Sequence, residues 1–161
     1  MRRAVFAGSF APIHLGHFEI IKRACGLFDE LVVAVTQNKN KPNLMSVESR
    51  KNLLRLACDE FKNVKVVSFQ GTLADFCKEN DIGCIVKSVR NFTDFEYEHD
   101  MAEVNRKIFG LETLILFADS QYKYISSSLV REFVQYDKDI SFLVPQGMEN
   151  DIKEVFHVSQ V

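Results

Sequence analysis

The stretch GSFAPIHLGH, residues 8–17, places a glycine, a hydroxyl, a proline and two histidines directly behind the apolar run Ala4-Val5-Phe6-Ala7. Gly8 lets backbone approach a ligand closely, and Ser9 offers both a hydroxyl and an amide. Pro12 sets the turn, and a helix is expected to begin near Leu15 or Gly16. His14 and His17, three positions apart, then share one face of its first turn, where free N–H groups favour an anion. The chemistry such a set can do is phosphate binding. A capped strand–helix turn with two incidental histidines is the plainer alternative. The absence of GxGxxG argues against an NAD-type site.

A second stretch, ISSSLVR at residues 125–131, puts three hydroxyls in front of an apolar helical run that carries Arg131. Serines at a helix start donate to phosphate oxygens, whereas N-capping alone needs only one of them.

These residues need a frame to hold them. Short β-rich runs recur at residues 3–7, 31–36, 64–69, 84–89 and 112–118. Each is apolar on both faces, as parallel strands covered on both sides should be. Helical patterns lie between them near 15–28, 46–60, 72–80 and 94–109, and two more follow in the tail around the Asp139–Pro145 connection. In the second, Leu53, Leu54, Ala57, Cys58 and Phe61 recur at helical spacing, Ser46 can cap the start and Glu48 suits the dipole. The alternation predicts a single α/β domain over residues 1–161: a Rossmann-like, doubly wound, parallel five-stranded sheet with helices on both faces. Ligands in such sheets gather at the carboxyl ends of the strands. The opening stretch and the segments after Thr36, Val86 and Ala118 should therefore share one rim.

Composition narrows the class. The chain has 161 residues, 47% of them hydrophobic, with a net charge of −2 and a pI near 6.1. Nothing in that balance draws nucleic acid or membrane, so a polyanion site must be built locally. The four cysteines, Cys25, Cys58, Cys77 and Cys84, are scattered and read as reduced, mostly buried thiols. No His/Cys/Asp cluster has metal spacing. No signal-type core follows Met-Arg-Arg, and no apolar run approaches the ~20 residues of a membrane span. A soluble cytoplasmic domain is expected.

His14-x-Gly16-His17 with the later ISSS-x-x-Arg resembles the HxGH nucleotidyltransferase superfamily. Within it, SVRNFTDFEYE (88–98) and YKYISSSLVR (122–131) resemble the phosphopantetheine adenylyltransferase family, from Arg3 to about Val144. The resemblance implies adenylyl transfer from ATP to 4'-phosphopantetheine, giving dephospho-coenzyme A and pyrophosphate, with Mg²⁺ brought by ATP. It also implies a homohexamer; whether coenzyme A acts back as a feedback ligand stays open.

Roles follow from the match. His17 corresponds to the histidine that donates to the α-phosphate, and Lys41 to a loop lysine that bridges the reacting phosphates. A Lys/Asn loop is otherwise simply solvated. Ser9 stands where the family usually has threonine, with the Phe10 amide beside it. Ser88, Val89 and Arg90 correspond to an ATP-contacting segment, and Glu98 to an acid near the adenosine. Tyr122, Lys123, Tyr124, Ile125, Ser126, Ser127 and Ser128 should cradle ATP. Ser9, Lys41, Leu73 and Lys87 would contact phosphopantetheine, although a leucine at 73 is otherwise plain core. Phe95 and Tyr97 read as packing; Met101, Val104 and Ile108 as core or subunit interface; His99 and His157 as surface.

Three positions depart from the family's pattern. Ala11 replaces its aspartate, and Lys87-Ser88 replaces Arg-Gly, which loses a bidentate fork and adds a Cβ near ATP. His14 completes HxGH where this family often has threonine. A mononucleotide adenylyltransferase, a small cytidylyltransferase or a non-catalytic nucleotide-binding relative are the rival readings.

Overall fold

The β-branched runs pair as strands of one parallel sheet in the computed structural model, which describes residues 1–36 and 45–158, with side chains to residue 156. The strands are β1 (Arg3–Gly8), β2 (Glu30–Thr36), β3 (Val64–Phe69), β4 (Cys84–Val89) and β5 (Glu112–Phe117), in the order β3-β2-β1-β4-β5. The helices are α1 (Leu15–Cys25), α2 (Val47–Ala57), α3 (Leu73–Glu79), α4 (Phe92–Val104), α5 (Ser127–Gln135) and α6 (Glu149–Val158). A π-helical turn (Asn105–Phe109) follows α4, and a 3₁₀ turn (Ser120–Tyr122) precedes α5.

Alternate residues of each central strand enter opposite cores, as the two-residue period of a strand requires. Phe6, Val33 and Val35 face a large cluster with Ile20, Leu53, Val130 and Ile152. Val5, Val32, Ala34 and Ile85 face a smaller one with Ala74 and Cys77 of α3. The sheet is doubly wound, with helices on both faces.

The expectation that every strand is covered on both faces holds only at the centre. β2 is buried along its length except for Thr36, whereas β3 and β5 contain no fully buried residue. They are the sheet edges, and Lys65, Ser68, Glu112 and Phe117 lie exposed on them. Position in the sheet, which a strand's own sequence does not encode, makes that difference.

Helix ends follow local chemistry. Ser46 caps α2 by accepting from the Ser49 N–H, as its position suggested. α4 starts two residues earlier than expected because Asn91 accepts from the Asp94 N–H at 2.8 Å. It ends at Val104 rather than running to 109, since the π turn intervenes and Gly110 closes it at φ 68°. No residue of α4 is buried. Met101, Val104 and, on the π turn, Ile108 are exposed, which removes the core alternative and leaves the subunit-interface one, and Tyr97 is exposed rather than packed. Phe95 does pack, its ring stacked over Phe117 at 6.1 Å. All four cysteines are free thiols, Cys58 and Cys77 buried, the others half-buried.

Candidate active site

β1 and β4 are neighbours, yet their chain connections leave in opposite directions along the sheet. Such a reversal opens a crevice beyond the strand ends, because no loop crosses it. A cavity of about 280 Å³ lies there, with Gly8, Phe10, His14 and His17 on one wall and Lys87, Ser88, Arg90 and Glu98 on the other. Tyr122 and Ile125 close it from the α5 side. β4 runs to Val89, so Lys87 and Ser88 belong to the strand rather than to a loop beginning after Val86.

Histidine 14 is not inside the first helical turn, as its spacing suggested, but is the residue that caps it. Its backbone is extended at φ −141°, and its Nδ1 accepts from the Gly16 N–H at 3.1 Å. An accepting Nδ1 places the neutral ring's proton on Nε2. The His14 and His17 rings stack at 3.7 Å with 25° between their planes. Phe10 meets the other side of His17 edge-on, 4.9 Å away. Packing, not a hydrogen bond from a described residue, orients the His17 ring; its Nδ1 is buried without a partner. Gly16 leaves room for the His14 ring, since a Cβ would sit 3.0 Å from His14 Cε1 and crowd it.

Both rings are held neutral. Burial, then the nearby Arg90 charge, lowers His14 to about 4. Burial, His14 and Arg90 together hold His17 well below the usual histidine range. An unfolded chain would take up these protons near the ordinary value of 6.5, so protonation favours unfolding as the pH falls from there. The His14 contribution is fully present above pH 6.5 and is lost toward pH 4, at up to about 1.4 kcal/mol per pH unit, and His17 acts in the same direction. Carboxylates with lowered pKa values, such as Asp29 and Glu30, lose theirs only below their ordinary values of 3.8 and 4.5. The urea midpoint should therefore fall between pH 6.5 and 4.5, and less steeply in His14→Asn, which keeps a capping oxygen. Equal slopes would contradict neutral, buried rings.

On the facing wall, Arg90 is braced by Asp94, whose Oδ2 accepts from both the Arg90 backbone N–H and Nε at 3.2 Å. Lys87 Nζ lies 3.1 Å from Glu98 Oε1. The cavity is thus edged by two cations and two imidazoles against one paired carboxylate, an arrangement suited to an anion.

The three serines each make a contact within the protein. Ser126 Oγ caps α5 at the Leu129 N–H, 3.1 Å away. Ser127 Oγ donates to the Pro12 carbonyl at 2.8 Å, and Ser128 Oγ accepts from Arg131 Nη2 at 3.0 Å. None is among the residues lining the cavity; Ser127, with Arg131 through the Ala11 carbonyl, fastens α5 to the β1–α1 loop. Ser9 is exposed beside Gly8, and Tyr124 is exposed as well. Val89 and Lys123 line an adjoining groove of about 460 Å³, together with Arg90, Phe95 and Phe117. Leu73 packs in the smaller core, away from both cavities. Lys41 lies outside the described residues, and so does the His157 side chain. Sequence reasoning missed Ala118, which lines both spaces, and a buried arginine considered below.

Residues 5–133 match the cytidylyltransferase-like family. Phosphopantetheine adenylyltransferase of Thermobifida fusca is 44% identical over 153 residues, 95% of this chain and 93% of that protein. The Streptomyces coelicolor protein of the same name is 47% identical over 145 residues, 90% of this chain and 91% of the relative. That of Shouchella clausii is 40% identical over 157 residues, 97% and 99% of the two chains. A solved Vibrio parahaemolyticus structure, assigned as a nicotinate-nucleotide adenylyltransferase, superposes with a TM-score of 0.70 over 96% of this chain and 93% of its own. At 16% identity it shows the fold alone. The chain belongs to the phosphopantetheine adenylyltransferase family of cytidylyltransferase-like nucleotidyltransferases.

Proposed function

We propose that the chain transfers the adenylyl group of ATP to 4'-phosphopantetheine. The observation that carries this reading is the cationic crevice at the ends of β1 and β4, in a chain whose close relatives bear that activity's name. A phosphate oxygen of phosphopantetheine attacks the α-phosphorus, the bond to the bridging oxygen breaks, and pyrophosphate leaves. The nucleophile is already an anion, so no general base is needed. Alignment and charge neutralisation remain for the protein to supply.

The residues divide that work. Neutral His17 donates an N–H to the α-phosphate, and the incoming charge raises its hold on that proton. Arg90, braced by Asp94, faces the polyphosphate, while the Ser9 hydroxyl and Phe10 amide serve the same oxygens. The groove floored by the stacked Phe95 and Phe117 rings, with Arg90 and Lys123 at its edge, takes the adenosine. Lys87 receives the phosphopantetheine phosphate, and Lys41 is assigned the bridging role by the family match.

Mg²⁺ enters with ATP. Among the described residues no group of three or more His, Cys, Asp or Glu side chains could hold a metal, and the cavity's one carboxylate, Glu98, is engaged by Lys87. The residues do not fit a resident ion. Coenzyme A carries both halves of the product, which supports it as a feedback ligand of the same site. Four free thiols suit the reducing cytoplasm.

The deciding assay is pyrophosphate release from MgATP with 4'-phosphopantetheine, nicotinamide mononucleotide or glycerol phosphate offered separately. Release with phosphopantetheine alone is expected. Turnover with another acceptor, or none at all in a protein that still binds ATP, would sink the reading.

Lys87 supports a narrower prediction. An ammonium binds phosphate as a point charge, whereas a guanidinium can donate two parallel bonds. Lys87→Arg should lower the KM for phosphopantetheine by about three- to tenfold with little change in the KM for ATP. An unchanged KM would count against Lys87 as the phosphate ligand.

A homohexamer is supported by α4, which buries none of its residues and exposes Tyr97, Met101 and Val104, followed by Ile108 and Phe109. Exposed apolar side chains on α4 and on the π turn behind it fit a second copy of the chain. Val104→Glu should shift sedimentation from hexamer toward smaller species. A wild-type protein that sediments as a monomer at micromolar concentration would overturn the assembly.

A further inference from the structure

Phe10 is a large, fully buried residue held at φ 45°, in the left-handed region that side chains other than glycine rarely enter. Such a conformation persists only where the surroundings over-determine it. Here the carbonyls on both sides of Phe10 are held. Arg50 Nη1 donates to the Ser9 carbonyl at 2.8 Å, and Arg131 Nη1 donates to the Ala11 carbonyl at 2.7 Å.

Arg50 is the less expected of the two. It sits on α2 with no exposed surface. Its Nη1 also donates to the Thr36 carbonyl at 3.0 Å, and its Nε to the Ser46 carbonyl at 3.3 Å. One guanidinium therefore ties the end of β1 to the end of β2 and the start of α2. Among the described residues Nη2 is buried without a partner, and no carboxylate lies within ion-pair distance of the guanidinium. A buried cation without a counter-charge is costly, and packing alone does not call for one.

We propose that Arg50 is a positioning residue for the transfer reaction: it clamps the Ser9 carbonyl so that the strained Phe10 turn keeps the Ser9–Phe10 backbone aimed at phosphate and the Phe10 ring set against His17. The role rests on the adenylyl-transfer reading given above. The path is contiguous, from guanidinium to Ser9 carbonyl, through the Phe10 backbone, to the ring 4.9 Å from His17. Only a planar fork can serve carbonyls from three segments at once, which an ammonium on a flexible stem cannot. The charge left uncompensated also favours a polyanion arriving at the turn.

Two readouts test this in Arg50→Met and Arg50→Lys. First, amide hydrogen exchange over residues 8–18 should speed up about tenfold or more in Arg50→Met, while β4 and β5 keep wild-type rates. Second, well below the unfolding transition, kcat should fall about 10- to 100-fold, with the KM for ATP within about threefold. Arg50→Lys should show the same pattern at smaller amplitude, and it decides the matter if Arg50→Met does not fold. Unchanged exchange over 8–18, or a loss spread evenly across the protein with kcat intact, would overturn the clamp. A wild-type protein without transfer activity would instead refute the functional reading, and the exchange data would still judge the clamp.

Discussion

His17→Ala should lower turnover with ATP and phosphopantetheine by about 10²–10³-fold while changing the KM for ATP by less than about tenfold. The ring is set by packing between Phe10 and His14, with no described side chain claiming its hydrogen bonds. In the adenylyl-transfer reading proposed above, it stands where negative charge grows in the transition state. Removing one such preorganised donor costs mainly the transition state, because the ground-state polyphosphate keeps Arg90. Single-turnover pyrophosphate release separates the two terms. His17→Asn, which restores an N–H donor, should recover part of the loss. An alanine variant within about fivefold of wild type would show that His17 does not touch the reacting phosphorus.

Gly8→Val should reduce kcat/KM by about 100-fold or more and destabilise the fold by about 1–3 kcal/mol. A Cβ at Gly8 would lie 3.2 Å from Phe10 Cζ and 3.3 Å from Cε2. Phe10 has nowhere to retreat. It is fully buried, its backbone is pinned on both sides, and its other edge meets His17. The extra methyl groups would also project at a residue that lines the cavity. The comparison is Gly83→Ala, where a Cβ meets nothing within 4 Å. Calorimetric melting and steady-state kinetics on both variants check the claim. A Gly8→Val enzyme as active as Gly83→Ala would mean that the turn relaxes, contrary to the restraint described for Phe10.

How much of this was readable from the chain differs by kind of feature. All five strands lie where β-branched runs predict them, because each is short, apolar and bounded by turn residues. Helix starts were legible where one side chain makes the cap, as with Ser46. They were missed at α4, where Asn91 rather than Asp94 sets the start. Helix ends were harder still: residues 94–109 look continuous, yet a π turn divides them. The burial of edge strands was misjudged because exposure depends on neighbours in space.

The site shows the same division. His14-x-Gly16-His17, Arg90 and the DFEYE block carry their meaning in type and spacing, so the family and its chemistry were visible in the sequence. The serines of 126–128 were recognisable as a motif, but nothing in it marks Ser127 as the one that holds α5 to the Pro12 carbonyl. Nor does anything mark Arg50, which reads as an ordinary charge on an amphipathic helix.

The sequence alone therefore determined the α/β class, the strand succession and the nucleotidyltransferase motifs, since these rest on local periodicity and residue chemistry. Only the tertiary structure decided that two neutral histidines stack, that Lys87 meets Glu98, and that a buried guanidinium pins a strained turn. Those facts join residues far apart in the chain, and burial and contact across such distances are properties of the packed whole.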